Sequence, residues 1–146
     1  MGRSVILSVG YEGRSQQNLL DVLRSHGTTV VVDVRLNPIS RKPGLSKTRL
    51  AAALAEAGIE YRHLKALGNP RENRSPFHEG RVAEGCEAFR KLLAAPEAES
   101  ALQQIVDESR TTTLAVLCFE KDHDRCHRQV IVDEVTKRER RDITYA

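Results

Sequence analysis

The 146-residue sequence contains no tryptophan, and aromatic residues make up only 4% of it. A platform that stacks single-stranded bases usually carries more rings, so that mode of nucleic-acid binding is disfavoured. There are only three cysteines, Cys86, Cys118 and Cys126. An odd number with no secretory leader argues against a disulfide framework. The first apolar run, residues 5–9, is too short for a secretory signal or a membrane span. These absences lead us to expect a cytoplasmic protein with no membrane partner. No Gly-x-Gly-x-x-Gly fingerprint and no Walker motif occurs. A glycine-rich dinucleotide site and a P-loop are therefore disfavoured, and no cofactor is expected. Internal repeats, low-complexity segments and linkers are also missing, so residues 1–146 read as a single domain.

What is present reads as a globular α/β chain. Hydrophobic residues make up 40% and charged residues 29%. At this length roughly 68–70% of the unfolded surface can be buried, so no staple is required. Val5-Ile6-Leu7-Ser8-Val9 ends in Gly10 and reads as a buried strand. Ser15 is a helix N-cap ahead of Leu19, Leu20 and Leu23, with a stop near Gly27. Residues 28–34 carry Val30-Val31-Val32 and Val34, a run whose continuity implies burial on both faces. Ser46 caps a helix with Leu50 and Leu54 inward, ending at Gly58, and residues 59–64 form a weaker strand. After an irregular stretch over residues 68–80 come helices near residues 83–94 and from Pro96. A strand over residues 113–119, a helix around Val130 to Val135 and a closing strand at Ile143-Thr144-Tyr145 follow. Alternation of this kind predicts a three-layer α/β fold. Its sheet is mainly parallel, with about five strands and helices on both faces.

In open α/β sheets ligands bind outside the carboxyl ends of the strands. The loops placed there hold Tyr11, then Asp33 and Arg35 with Ser40, then Arg71, then Glu120 leading to Cys126-His127-Arg128. The formal charge is only +3, but it is unevenly spread. No acid lies between Asp33 and Glu56, whereas Arg35, Arg41, Lys42, Lys47 and Arg49 do. Such asymmetry suits a phosphate-bearing ligand as well as an ordinary solvated surface. Asp33 and Arg35 share one side of their strand, either as a plain ion pair or as a carboxylate fixed for base or clamp duty.

The segment from Cys118 to Arg128 is the sharpest signal. Cys118 ends a buried strand, as a small hydrophobe or as a nucleophile. Glu120 is placed for proton transfer. Cys126 opens a helix that Asp122 or Asp124 can cap. His127, Arg125 and Arg128 lie around it, so Cys126 is expected to be more acidic than Cys86 or Cys118. Cys118, His123, Cys126 and His127 invite a zinc reading, but their spacing fits no common Cys/His pattern and no metal is expected.

Taken in order, Val9-Gly10-Tyr11, Val32-Asp33-Val34-Arg35 with Pro38 and Ser40, and Gly58-Ile59-Glu60-Tyr61 form a recognisable series. Leu67-Gly68 with Arg71, Leu117-Cys118-Phe119-Glu120 and Cys126-His127-Arg128 complete it. On these pieces the chain resembles the domain-of-unknown-function 488 family across nearly its whole length. The last motif is quite specific and the others are individually weak. Family sequences often have Gly-His where this chain has Gly10-Tyr11, and Gly-Gly where it has Gly68-Asn69. The resemblance supports the map of the site and implies no reaction. A weaker similarity to rhodanese-like proteins rests on Asp33-Val34-Arg35 and Cys118, but Arg125 comes too late to close the short loop such enzymes use.

The leading expectation is an enzyme for a phosphate-bearing substrate, a nucleotide or nucleic acid. Asp33, Glu120, Cys126 and His127 would supply chemistry, and Tyr11, Arg35, Ser40, Arg71 and Arg128 would bind. The alternatives are a non-catalytic nucleotide or nucleic-acid module, and a structural or partner-binding protein whose polar motif only braces the loops.

Overall fold

The computed structural model describes residues 5–146. Five strands alternate with helices: β1 (Val5–Gly10), α1 (Gln16–Ser25), β2 (Val30–Asp33), α2 (Lys47–Glu56) and β3 (Glu60–His63) come first. A short α3 (Ser75–His78), then α4 (Val82–Leu92), α5 (Pro96–Glu108), β4 (Leu114–Cys118), α6 (Arg128–Arg138) and β5 (Asp142–Tyr145) complete the chain. The sheet order is β3-β2-β4-β1-β5, and every pairing is parallel. This is the three-layer architecture that the alternating pattern implies, with the sheet wholly rather than mainly parallel.

The apolar runs explain the order. β2 and β4 are buried at every residue and sit inside the sheet. β3 and β5 are partly exposed and form its flanks. Alternate residues feed two separate cores, as a strand's two-residue period requires. Leu7, Val9, Val31, Ala115 and Leu117 pack under α1 and α2. Ile6, Val30, Val32, Leu114 and Val116 pack under α4, α5 and α6. Among the described residues no helix is long and apolar enough to cross a membrane.

Local signals held in part. Ser15 caps α1 by accepting from the Asn18 amide at 3.1 Å. Ser46 stands at the cap of α2 but makes no capping bond. Its hydroxyl is spent on the Ser40 backbone, accepting from N at 2.9 Å and donating to O at 3.2 Å. α6 begins at Arg128, two residues later than expected, and neither Asp122 nor Asp124 caps it. Asp122 instead caps a single 3-10 turn, residues 123–125, accepting from the Asp124 amide. The irregular stretch contains a second such turn at residues 71–73 and the one-turn α3.

Parallel register brings the carboxyl ends of β1 and β4 together, with Gly10 opposite Cys118. A Cβ on Gly10 would lie 1.8 Å from the Glu120 carbonyl oxygen, so only glycine fits there. Gly68 is equally constrained: its Cβ would lie 2.5 Å from Leu36 Cα.

Candidate functional site

The carboxyl ends of β1, β2 and β4 enclose a cavity of about 270 Å³. Tyr11, Arg35, Cys118, Glu120 and His127 line it, as do Arg74, His78 and Asn69 from the stretch before α4. α1 and α2 lie on one face of the sheet and α6 on the other, so the loops part here and leave a crevice.

One wall is a closed brace. Arg35 Nε donates to both oxygens of Asp33 at 2.9 and 3.1 Å, and Nη2 donates to Oδ2 at 2.7 Å. Its Nη1 donates to the Leu45 carbonyl at 2.7 Å and to the Tyr11 hydroxyl at 3.3 Å. The Tyr61 hydroxyl donates to Asp33 Oδ2 at 2.6 Å. Burial first, and then the Asp33 carboxylate, push the Tyr61 hydroxyl above its ordinary range. Burial pulls the Arg35 guanidinium down, but Asp33 more than offsets it and the net shift is upward. Asp33 is fully buried and its charge is used here, so the pair braces the wall.

The floor is a sulfur cluster. His127 Nδ1 lies 3.6 Å from Cys126 Sγ and 4.0 Å from Cys118 Sγ. Its Nε2 is 3.0 Å from the Val34 carbonyl, which can only accept, so Nε2 carries a proton. Arg128 is fully buried. Its Nε donates to Ser8 Oγ at 2.9 Å, and its Nη1 and backbone N–H each reach Cys126 Sγ at 3.5 Å. Among the described residues this guanidinium has no carboxylate partner, and its Nη2 has no acceptor. A buried cation needs an anion beside it, and sulfur is the group available to supply one.

The thiols order themselves contrary to the sequence expectation. The Cys126 hydrogen bond holds Cys118 below the usual thiol range against its burial, with His127 and Arg128 assisting. Burial, then the Cys118 anion, push Cys126 up. Burial also raises Cys86, which lies outside the cavity on α4. Cys118, at the cavity wall, is therefore the more acidic thiol, where Cys126 had been expected. The His127 ring is disfavoured as a cation by burial, yet the Cys118 anion and the Val34 carbonyl leave it raised. Burial raises the Glu120 carboxyl, as does the Cys118 anion, with Cys126 and His127 opposing. Glu120 Oε2 is buried with no partner among the described residues, and Oε1 lies 3.8 Å from His78 Nε2.

A family model described as "Domain of unknown function DUF488" matches residues 15–135. The chain belongs to this family. No curated protein and no solved structure matches it. Of the pieces that carried the DUF488 resemblance, Tyr11, Arg35, Cys118, Glu120 and His127 line the cavity, and Asp33, Cys126 and Arg128 pack behind them. Tyr11, where the family often has His, is buried with its ring edge-on to Phe119 at 5.3 Å. Asn69, where the family often has a second Gly, is buried and hydrogen-bonded to Asn73.

Three expected binding residues stand apart from the cavity. Arg128 lies buried behind the sulfurs, and Arg71 is exposed outside the lining. Ser40 is tied to Ser46 and Lys42 at a different hollow. Sequence reasoning missed Arg74 and His78 as lining residues. Their stretch was visible as long and irregular, but the turns that aim them inward have no sequence period. It also missed a second polar cluster, in which Ser8 Oγ and His123 Nδ1 lie 2.6 Å apart beside Arg128.

Proposed function

We propose that this DUF488 protein is an enzyme acting on a phosphate-bearing substrate, a nucleotide or a nucleic-acid segment, in the cavity at the carboxyl edge of the sheet. One observation carries the reading: Cys118, Glu120 and His127 open onto the same cavity as Arg74. Among the described residues the Arg74 guanidinium has no hydrogen-bond or ion-pair partner, so it is free to grip phosphate. Arg35 and Arg128 are already engaged inside the protein and act by shaping the cavity. Ile39, 78% exposed, and Phe119, 41% exposed, stand at the same cavity and offer an apolar face to a base or sugar. Glu120 is the group placed to move a proton, and the sulfur cluster is the electron-rich centre beside it.

Calorimetric titration of a nucleotide panel tests this reading. Charge-assisted hydrogen bonds contribute about 1.5–3 kcal/mol, so Arg74→Ala should weaken binding roughly 10–100-fold. Glu120→Gln should bind like the wild type and lose turnover of the nucleotide that binds. Equal affinity of wild type and Arg74→Ala, or no binding by either, would count against the proposal. Binding that falls steeply with salt and shows no turnover would favour a binding module instead.

A further inference from the structure

We infer that Cys118, Cys126 and His127 form a site for a thiophilic divalent cation of the zinc class, with a fourth position that faces the cavity. The three donor atoms all lie within 4.8 Å of one another. Tetrahedral zinc, with Zn–S of about 2.3 Å and Zn–N of about 2.0–2.1 Å, spaces its donors by about 3.5–3.8 Å. The Nδ1–Sγ separations of 3.6 and 4.0 Å already sit within a few tenths of an ångström of that spacing.

Three independent features around the donors are those a metal site needs. First, the Val34 carbonyl accepts from His127 Nε2 at 3.0 Å. In the neutral ring this leaves the lone pair on Nδ1, the atom aimed at the sulfurs, and such an outer bond commonly fixes a ligating histidine. Second, the Arg128 guanidinium and backbone N–H both reach Cys126 Sγ, as donors to a metal-bound thiolate do. Third, the charges cancel. Two thiolates and the Glu120 carboxylate oppose a divalent ion and the buried Arg128 guanidinium. The same guanidinium that would repel a cation bound by neutral ligands thus becomes necessary beside an anionic donor set. Glu120 Oε2, buried and unpartnered among the described residues, adds negative charge at the same cavity.

The cation has a route in, because Cys118, Glu120 and His127 line the cavity. The inference rests on donor geometry and stands whether or not the cavity takes phosphate.

Cobalt(II) is the probe. The full chain, stripped with a chelator, is titrated with cobalt and watched for thiolate-to-cobalt charge transfer in the near ultraviolet and strong visible bands of tetrahedral cobalt. One equivalent should saturate both, and zinc should abolish them. Cys126→Ser should lose about half the charge-transfer intensity. Its affinity should fall by more than the about 10–100-fold that outer-shell partners are worth. Cys86→Ser should match the wild type. Circular dichroism establishes that each variant is folded. In wild-type protein, zinc should protect Cys118 and Cys126 from a thiol reagent and leave Cys86 reactive, a readout that needs no variant. A pale octahedral cobalt spectrum, or unchanged thiol reactivity with zinc, would overturn the inference and leave the sulfurs as a hydrogen-bonded pair.

Discussion

His123 shows how partial burial biases a titratable residue. Burial disfavours its charged ring, and Arg128 adds to the effect, while Asp124, Asp133 and Asp122 only partly oppose them. Its ring stacks edge-on against Tyr145 at 4.7 Å. Because the folded-state value lies below the ordinary 6.5, the unfolded chain takes up a proton first as pH falls. Stability is therefore complete above 6.5 and declines below it until the folded ring also protonates. The melting temperature of His123→Gln should fall less steeply than that of the wild type on acidification through this range. Parallel curves would show that the ring is not linked to folding. At this scale the sequence was half legible. Cys118, Glu120, Cys126 and His127 were recognisable as one chemical group from residue type and proximity. The ordering of the thiols was not, because it depends on two sulfurs from separate elements meeting beside a buried guanidinium. The same fact limits what chain spacing can say about a metal, since donor spacing along the chain says little once a strand end and a helix start converge.

Among elements, β2 and β4 were the most legible, because an unbroken apolar run has little alternative to a doubly covered strand. The start of α2 was legible at Ser46, and that of α6 was not. Ser46 and Asp122 are good capping residues whose side chains found other partners. The stretch between β3 and α4 was opaque. It is pinned by polar contacts with no periodic signature: Asn73 Nδ2 donates to Asn69 Oδ1 at 2.9 Å and to the Gly85 carbonyl at 3.1 Å. Asn73→Ala removes both bonds and leaves a buried carbonyl short of a donor, a loss of about 1–3 kcal/mol. Trypsin should then cut after Arg71 and Arg74, both exposed, well before the remaining basic sites. Unchanged cleavage kinetics would mean that Phe77, buried beneath α4, holds the stretch alone.

Across the whole molecule, both helical layers pack on one sheet, so neither core can open without baring a face of the same five strands. With no tryptophan, the signal comes from Tyr11, Tyr61 and Tyr145. Tyrosine fluorescence and far-ultraviolet circular dichroism should therefore melt at the same temperature in one transition. Two separated transitions would mean that the layers are independent. The layered plan was legible from alternation alone, whereas the strand order was not, because nothing in the sequence says that β4 inserts between β1 and β2. The buried guanidinium behind the sulfurs also has a consequence for descent. Losing the Cys126 sulfur first takes an acceptor from the buried guanidinium, and losing Arg128 first leaves the sulfur pair without the cation that offsets its charge. Either single step passes through a poorer intermediate than the start or the finish. Positions 126 and 128 are therefore expected to be replaced together rather than singly.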